Sequence, residues 1–175
     1  MFQGSVPPYY IDVGNTSHFM RYLHLRKRLV SHLAIKNGGH DYMGRSSAAG
    51  ALGILVHNLD TLAHDTNFSP EGCDTKYNTI TAGTGATTLS IYDFADAHNV
   101  TLIGGYHQTI TASGDWVLGG GHSILSPVYG LGIDRIVQFK LVTPDGRAAA
   151  HRKRMPERRF VLGVAWPRRD LRCCP

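Results

Sequence analysis

The sequence predicts an α+β fold, a mixed sheet with two flanking helices and unusually elaborate glycine loops, and three observations carry the prediction. Short apolar runs alternate with two segments of helical spacing. Many of the 20 glycines crowd into two stretches, residues 37–50 and 114–132. A 42% hydrophobic content over 175 residues suits one loop-rich globular domain with its own core.

Tyr9 to Val13 has strand composition. Asn15, Thr16 and Ser17 then supply a helix N-cap, and Phe19, Tyr22, Leu23, Leu25 and Leu29 follow as a rough helical stripe. Leu33 to Ile35 reads as a buried strand that runs into a glycine turn, and Leu52 to Val56 as a second strand with His57-Asn58-Leu59 at its exit. Thr79 to Ala82 is a short strand closed by the turn Gly83-Thr84-Gly85. Thr87 or Thr88 caps a helix extending through His98, with Leu89, Tyr92 and Ala95 on its apolar face. Thr101 to Ile103 is a further short strand, ending on Gly104-Gly105. Ile136 to Val142 is the clearest strand, ended by the turn Thr143-Pro144-Asp145-Gly146.

The turn after the Leu33 strand carries the most chemistry. It reads Asn37-Gly38-Gly39-His40-Asp41-Tyr42-Met43-Gly44-Arg45-Ser46. Gly38 and Gly39 can take positive φ and have no side chain to hold a ligand away. Consecutive main-chain N–H groups in such a turn form a concavity for an anion. Neither G-x-x-x-x-G-K-[ST] nor a helix-opening G-x-G-x-x-G after a strand occurs, so a phosphate site here belongs to another fold. The competing reading of His40 is a turn histidine bonded only to its own loop.

Charge excludes one function class. Through Ala150 there are 10 Lys and Arg against 11 Asp and Glu; from His151 onward there are 8 against 2. The body is near neutral and the whole basic excess sits in the last 25 residues, so no basic stripe marks a nucleic-acid partner. No apolar run is long enough to span a membrane, and Met1-Phe2-Gln3-Gly4 does not open a signal peptide. Three N-x-[ST] sequons, at Asn15, Asn67 and Asn99, hint at a secretory ancestry, with chance sequons the alternative. Cys73 stands apart from Cys173 and Cys174, which gives neither a disulfide framework nor a zinc spacing. No H-E-x-x-H and no Ser–His–Asp pattern appears, and no catalytic or metal-binding residue is assigned.

The second glycine region runs Asp115-Trp116-Val117-Leu118-Gly119-Gly120-Gly121-His122-Ser123 and continues through Tyr129-Gly130-Leu131-Gly132-Ile133-Asp134. Three consecutive glycines serve neither core packing nor helix propensity. Composition alone favours a tight structural crossing over passage beside a flat ligand.

Taken in order, these segments resemble the FAD-binding (PCMH-type) domain of the vanillyl-alcohol-oxidase superfamily, and within it the fungal berberine-bridge-enzyme-like FAD-linked oxidoreductases. The matching pieces are Tyr9 to Val13, Ile35 to Ser46, His98 to Thr101 with Gly104-Gly105, Gly119 to His122, Tyr129 to Asp134 and Val142 to Gly146. Order and spacing agree over about residues 8–147. The resemblance implies an FAD cofactor and a small organic substrate, oxidised by hydride transfer to flavin N5 with reoxidation by dioxygen.

It also implies residue roles. Asn37, Gly38, Gly39, His40 and Asp41 would form the pyrophosphate loop, with Gly44 and Ser46 in its continuation, and His40 would be the residue joined to the isoalloxazine 8α-methyl. Thr109, Gly114 and Gly119, Gly120, Gly121 and His122 would lie by the flavin, and Val142 near the adenine. Many relatives add a thioether from a cysteine two residues after the Gly-Gly pair. His107 stands there in this chain, so a second, cysteinyl link is ruled out and only the histidyl link stays open. Ser113 and Asp115 depart from the small residues expected, and Asp115 is expected to point to solvent. Turned inward, it would disfavour a reduced flavin anion.

After Ala150 the character changes abruptly, which divides the chain into a partial FAD-binding domain, 1–150, and an irregular basic tail, 151–175. Codons can be chosen for His151 to Pro175 so that the frame one nucleotide later spells D-L-F-W-A-L-R-G and then T-F-G-V-V, as in the family. A one-nucleotide frame change or misplaced splice boundary near Ala149 or Ala150 is therefore expected. On that reading the domain is incomplete on its C-terminal side, and the substrate domain with its catalytic base is missing. FAD retention would be weak or nil and turnover absent. The rival is a non-enzymatic, pseudogene-derived fragment. Relatives are often secreted, but localisation is not fixed by this chain.

Overall fold

A computed structural model describes residues 5–29, 32–152 and 164–166. The aromatic and β-branched start of the chain forms β1 (Tyr9–Asp12), and Asn15 caps the helix that follows, α1 (Thr16–Leu29). The Asn15 side-chain oxygen accepts from the His18 N–H at 2.9 Å, which satisfies one of the donors a helix N-terminus leaves open. β2 (Leu33–Lys36) and β3 (Leu52–Leu55) complete a parallel sheet of order β1-β3-β2. Phe19 and Tyr22 of α1 pack on the Val13, Ile54 and Val56 core.

A second, antiparallel sheet is built from β4 (Leu62–Phe68), β5 (Tyr77–Ala82) and β8 (Val164–Trp166), in the order β4-β5-β8. Helix α2 (Thr88–Ala97) follows, capped by Thr87, whose side chain accepts from the Ser90 N–H. A π-helical turn (Ala112–Trp116) and a 3-10 turn (Val117–Gly119) lead to the short α3 (Ser126–Tyr129) and a 3-10 turn, Gly132–Arg135. The hairpin of β6 (Gln138–Val142) and β7 (Ala148–Arg152) closes the described chain before β8.

The α+β class is borne out, its parallel and antiparallel pairings being divided among three sheets. Several local expectations are corrected. Residues 101–103 form no strand: Ile103 is apolar because it enters the core with Trp116, Val117, Ile136 and Phe139. β2 is an edge strand with Ala34 buried but Ile35 46% exposed, so the apolar run marks one covered face, not two. The covered face of α2 is Thr88, Ile91 and Ala95; Leu89 and Tyr92 are partly exposed. In α1, Leu23 is buried and Leu25 lies outside the stripe, while the Leu29 side chain is outside the described residues.

β4 has no counterpart in the sequence reading. Its Leu-Ala-His-Asp-Thr-Asn-Phe run is mostly polar and exposed, and only pairing to β5 makes it a strand. In the basic tail, His151 and Arg152 end β7 and Val164–Trp166 pairs with β5, so irregular structure is not what these five residues show. The remaining tail residues, 153–163 and 167–175, lie outside the described residues. Cys73 is buried. Among the described residues, no helix is long and apolar enough to cross a membrane.

Candidate functional site

The exit of β2 delivers Asn37 and the glycine turn to one end of the parallel sheet, where β5 and the π-helical turn meet it. The Asn37 amide donates to Thr84 Oγ1 at 3.1 Å. Thr84 is held there because Gly83 and Gly85 pass directly against the backbone of residues 57–61, with Gly85 N–H donating to Leu59 O at 2.8 Å. A side chain at either glycine would collide with that backbone. On the other side, a Cβ on Gly114 would fall within contact distance of Asn37 Nδ2 and 2.5 Å from Thr84 Oγ1. Asn37 is thus fixed between two loops that admit it only because Gly114 has no side chain.

Gly38 comes next. A Cβ there would sit 2.9 Å from Asp115 Oδ2 and 3.2 Å from both the N–H nitrogen and the Oγ1 of Thr111. Gly39 has φ +80°, which only glycine takes without strain. Among the described residues, the N–H groups of Gly38 and Gly39 meet no protein acceptor. Three buried oxygens around the same turn are likewise without a protein partner: Asn37 Oδ1, Thr111 Oγ1 and Asp115 Oδ2. Buried polar groups rarely stay unpaired, and three in one place mark a site that a ligand or water completes.

Asp115 contradicts the expectation that it faces solvent. Its Oδ2 is buried against Gly38, because the π-helical turn rotates the side chain under the glycine loop. Burial pushes the carboxyl above the ordinary carboxylate range, opposed by the charge His40 can carry and by a hydrogen bond from the His40 backbone. Ser113, the other departure, is buried and donates to Ala82 O at 3.0 Å, a structural role.

His40 Nε2 lies 2.8 Å from Thr109 Oγ1, and the same hydroxyl lies 3.1 Å from His107 Nδ1. The two imidazole rings are 5.2 Å apart. Asp41 turns away to Arg45: the guanidinium donates to both carboxylate oxygens, the closest contact at 2.6 Å, and the Arg45 backbone N–H donates to Oδ2 as well. These bonds hold the Asp41 carboxyl down at about 2. Gly44, at φ +71°, makes the turn within this clamp, and Ser46 lies just beyond it, half-buried.

The triple glycine is a crossing, as composition favours. Gly132 N–H donates to Gly121 O at 2.7 Å and Ile133 N–H to Gly120 O at 3.2 Å. Gly121 and Gly132 both press on the Trp116 indole, whose N–H donates to His122 O at 2.8 Å. Gly120 and Gly121 need positive φ; Gly119 has open space at its Cβ position. The His122 ring lies 5.3 Å from that of Tyr106. Val142 ends β6 in a different sheet from the glycine loop.

The structure therefore brings Asn37, Gly38, Gly39, His40, Thr109 and Gly114 into one cluster, with Asp41 at its edge. Gly120, Gly121 and His122 form a second group beside Trp116, with Gly119 just before them. Gly44 meets the first cluster only at its edge, its N–H donating to Asp41 O at 3.0 Å, and among the described residues no hydrogen bond ties Ser46 or Val142 to it. Thr84 and Thr111 belong to the first cluster and were missed. Thr84 was legible only as part of a Gly-Thr-Gly turn, and Thr111 had no signal at all.

The family described as an FAD binding domain matches residues 7–150. The FAD-linked oxidoreductase ffsJ of Aspergillus flavipes is 45% identical over 144 residues, which cover 82% of this chain and 24% of that protein. The crystal structure of the VAO-type flavoprotein MtVAO615 from Myceliophthora thermophila C1 aligns with a TM-score of 0.76 at 31% identity, over 82% of this chain and 26% of that one. Glucooligosaccharide oxidase from Acremonium strictum, described with a 6-S-cysteinyl, 8α-N1-histidyl FAD, aligns with a TM-score of 0.69 at 21% identity. That alignment covers 85% of this chain and 30% of the oxidase and shows a shared fold. The chain spans about a quarter to a third of the length of these relatives.

Proposed function

The chain belongs to the FAD-binding domain family of flavin-linked oxidoreductases, and from that premise we propose that residues 37–41 seat the FAD pyrophosphate and that His40 is the residue that bonds to the flavin. The observation that carries this is the conjunction at Gly38: two N–H donors without acceptors beside three buried oxygens without partners. Each of the three can present a hydrogen to an anion. Thr111 does so through its hydroxyl. Asn37 does so once its amide turns end for end, so that Oδ1 accepts from the Thr84 hydroxyl and Nδ2 faces the anion. Asp115 does so when protonated, the form that its burial favours.

When bound, FAD supplies the redox chemistry, accepting a hydride from a small organic substrate and returning the electrons to dioxygen. The chain's residues supply binding and orientation. Gly114 and Thr84 hold Asn37, Thr109 holds His40, and the Asp41–Arg45 clamp shapes the turn after it. The Trp116 crossing would form the neighbouring wall, with His122 upon it, and Val142 would lie toward the adenine. A covalent attachment would be histidyl alone, because His107 stands where the resemblance implies a second, cysteinyl link.

The 175-residue chain by itself is proposed to bind FAD weakly and to lack turnover, either as one part of an oxidoreductase or as a non-enzymatic fragment. The support is its span, about a quarter to a third of the matched proteins' length, together with the change of character after Ala150. Denaturing-gel fluorescence of the purified chain tests this. A faint or absent flavin band is expected, and a bright one that His40→Ala abolishes would refute the weak-retention reading while upholding the site. The coding sequence tests the frame change, which fails if the adjacent frame does not spell D-L-F-W-A-L-R-G.

A further inference from the structure

We propose that His107, acting through Thr109, fixes His40 in its Nε2–H tautomer and so leaves Nδ1 as the lone-pair nitrogen of that ring. The inference rests on the flavin-site reading only for the use to which the lone pair is put; the tautomer itself follows from the geometry.

A backbone N–H can only donate, and this sets the direction of the whole chain of bonds. Thr109 N–H lies 3.3 Å from His107 Nδ1, so that nitrogen is an acceptor and His107, when neutral, carries its proton on Nε2. The Thr109 hydroxyl is 3.1 Å from the same nitrogen. That nitrogen has one lone pair and no hydrogen to give, so the hydroxyl shares the lone pair with the backbone N–H by turning its one hydrogen toward it; turned away, its oxygen would set lone pair against lone pair. The hydroxyl oxygen is left with lone pairs alone for its other neighbour, His40 Nε2, at 2.8 Å. For that short contact to be a hydrogen bond, His40 Nε2 must hold the hydrogen. A neutral imidazole carries one N–H, so Nδ1 of His40 is bare.

The arrangement also gives His107 a role that its sequence position does not suggest. Where the family resemblance leads one to expect a thiol that bonds to the cofactor, this chain has an imidazole that touches no ligand in this account. It acts as a positioning residue: without its lone pair, the Thr109 hydroxyl would be free to rotate and to donate to His40 Nε2, which would move the proton to Nδ1. Thr109 is the coupling element. Its backbone and side chain both contact His107, so the ring cannot turn over without losing two bonds.

The test is long-range 1H–15N correlation on the purified 175-residue chain labelled at histidine, without flavin and at a pH where His40 is neutral. His40 should show a protonated Nε2 and an unprotonated Nδ1, with His107 the same. Thr109→Val removes the hydroxyl and should lower the His40 tautomer ratio at least about fivefold, the worth of one net hydrogen bond of roughly 1 kcal/mol. Thr109→Ser should restore it, and His107→Ala should shift it as Thr109→Val does. A His40 ring with its proton on Nδ1, or a ratio indifferent to Thr109→Val, would overturn the proposal; the wild-type spectrum decides even if a variant fails to fold. Failure of the flavin reading looks different: the tautomers would be as stated while FAD leaves the His40 signals unmoved.

Discussion

Replacing Gly114 by alanine puts a methyl group into space shared by Asn37 Nδ2 and Thr84 Oγ1. Asn37 can escape only by leaving Thr84, which gives up their 3.1 Å hydrogen bond. Forcing an extra methyl into a packed position costs about 1–3 kcal/mol, and losing one hydrogen bond about 0.5–1.5 kcal/mol. Against this, alanine reduces the freedom of the unfolded chain, worth about 0.4–1 kcal/mol. Gly114 does not need positive φ, so no backbone strain enters. The net expectation is a loss of about 2 kcal/mol. In a chain of this length that is a fall in Tm of roughly 4–8 °C.

Thermal and urea unfolding of Gly114→Ala and Asn37→Ala, singly and combined, would measure it. The two sites touch, so their effects should not add. Truncating Asn37 relieves the crowding, and the double variant should recover about 1 kcal/mol relative to the sum. Gly119→Ala is the control, since open space surrounds that position and its φ is not positive; its stability should stay within about 0.5 kcal/mol of the parent. A Gly114→Ala chain as stable as the parent, or strict additivity with Asn37→Ala, would refute the reasoning that Gly114 holds the asparagine in place.

Two further predictions concern charge. Burial raises the Asp115 pKa, so its protonated form favours folding: the cost of the charge is absent below the unfolded pKa and grows as pH rises toward the folded one. Asp115→Asn should therefore gain stability at neutral pH and lose that gain under acid, and its FAD affinity should exceed the parent's at neutral pH; a destabilised Asn variant at pH 7 would refute this. For Asp41 the sign reverses. Its carboxyl is held at about 2 by Arg45, so an NMR titration should find it ionised until strongly acidic pH, and Arg45→Ala should return it toward an ordinary aspartate value. In addition, deletion of residues 151–175 should abolish any binding to polyanions, because the rest of the chain carries no net positive charge; retained binding would restore a nucleic-acid role.

What the residues disclosed, and what they hid, divides along physical lines. Local signals were readable: the Asn15 and Thr87 caps, the glycine turn after β2 and the turn at residues 143–146 all depend on near neighbours. Strand β4 was hidden because its stability comes from pairing with β5, not from its own polar sequence. Residues 101–103 misled for the converse reason, since the apolar character of Ile103 answers to the core, not to a ladder. In the site, His40 and its loop stood out through glycine and histidine chemistry, and Thr109 came with the family resemblance. Thr111 and Asp115 could not be placed, because their approach to Gly38 arises only when the π-helical turn folds beneath it.

The most direct test of the central claim is to follow backbone amide signals of the chain as FAD is added, a measurement that succeeds even when binding is weak. The account predicts the largest shifts at Gly38, Gly39 and His40, with Thr111 and Asp115 moving alongside, and smaller shifts along β6 and β7. Saturable binding of FAD that leaves Gly38 and Gly39 unmoved would contradict it.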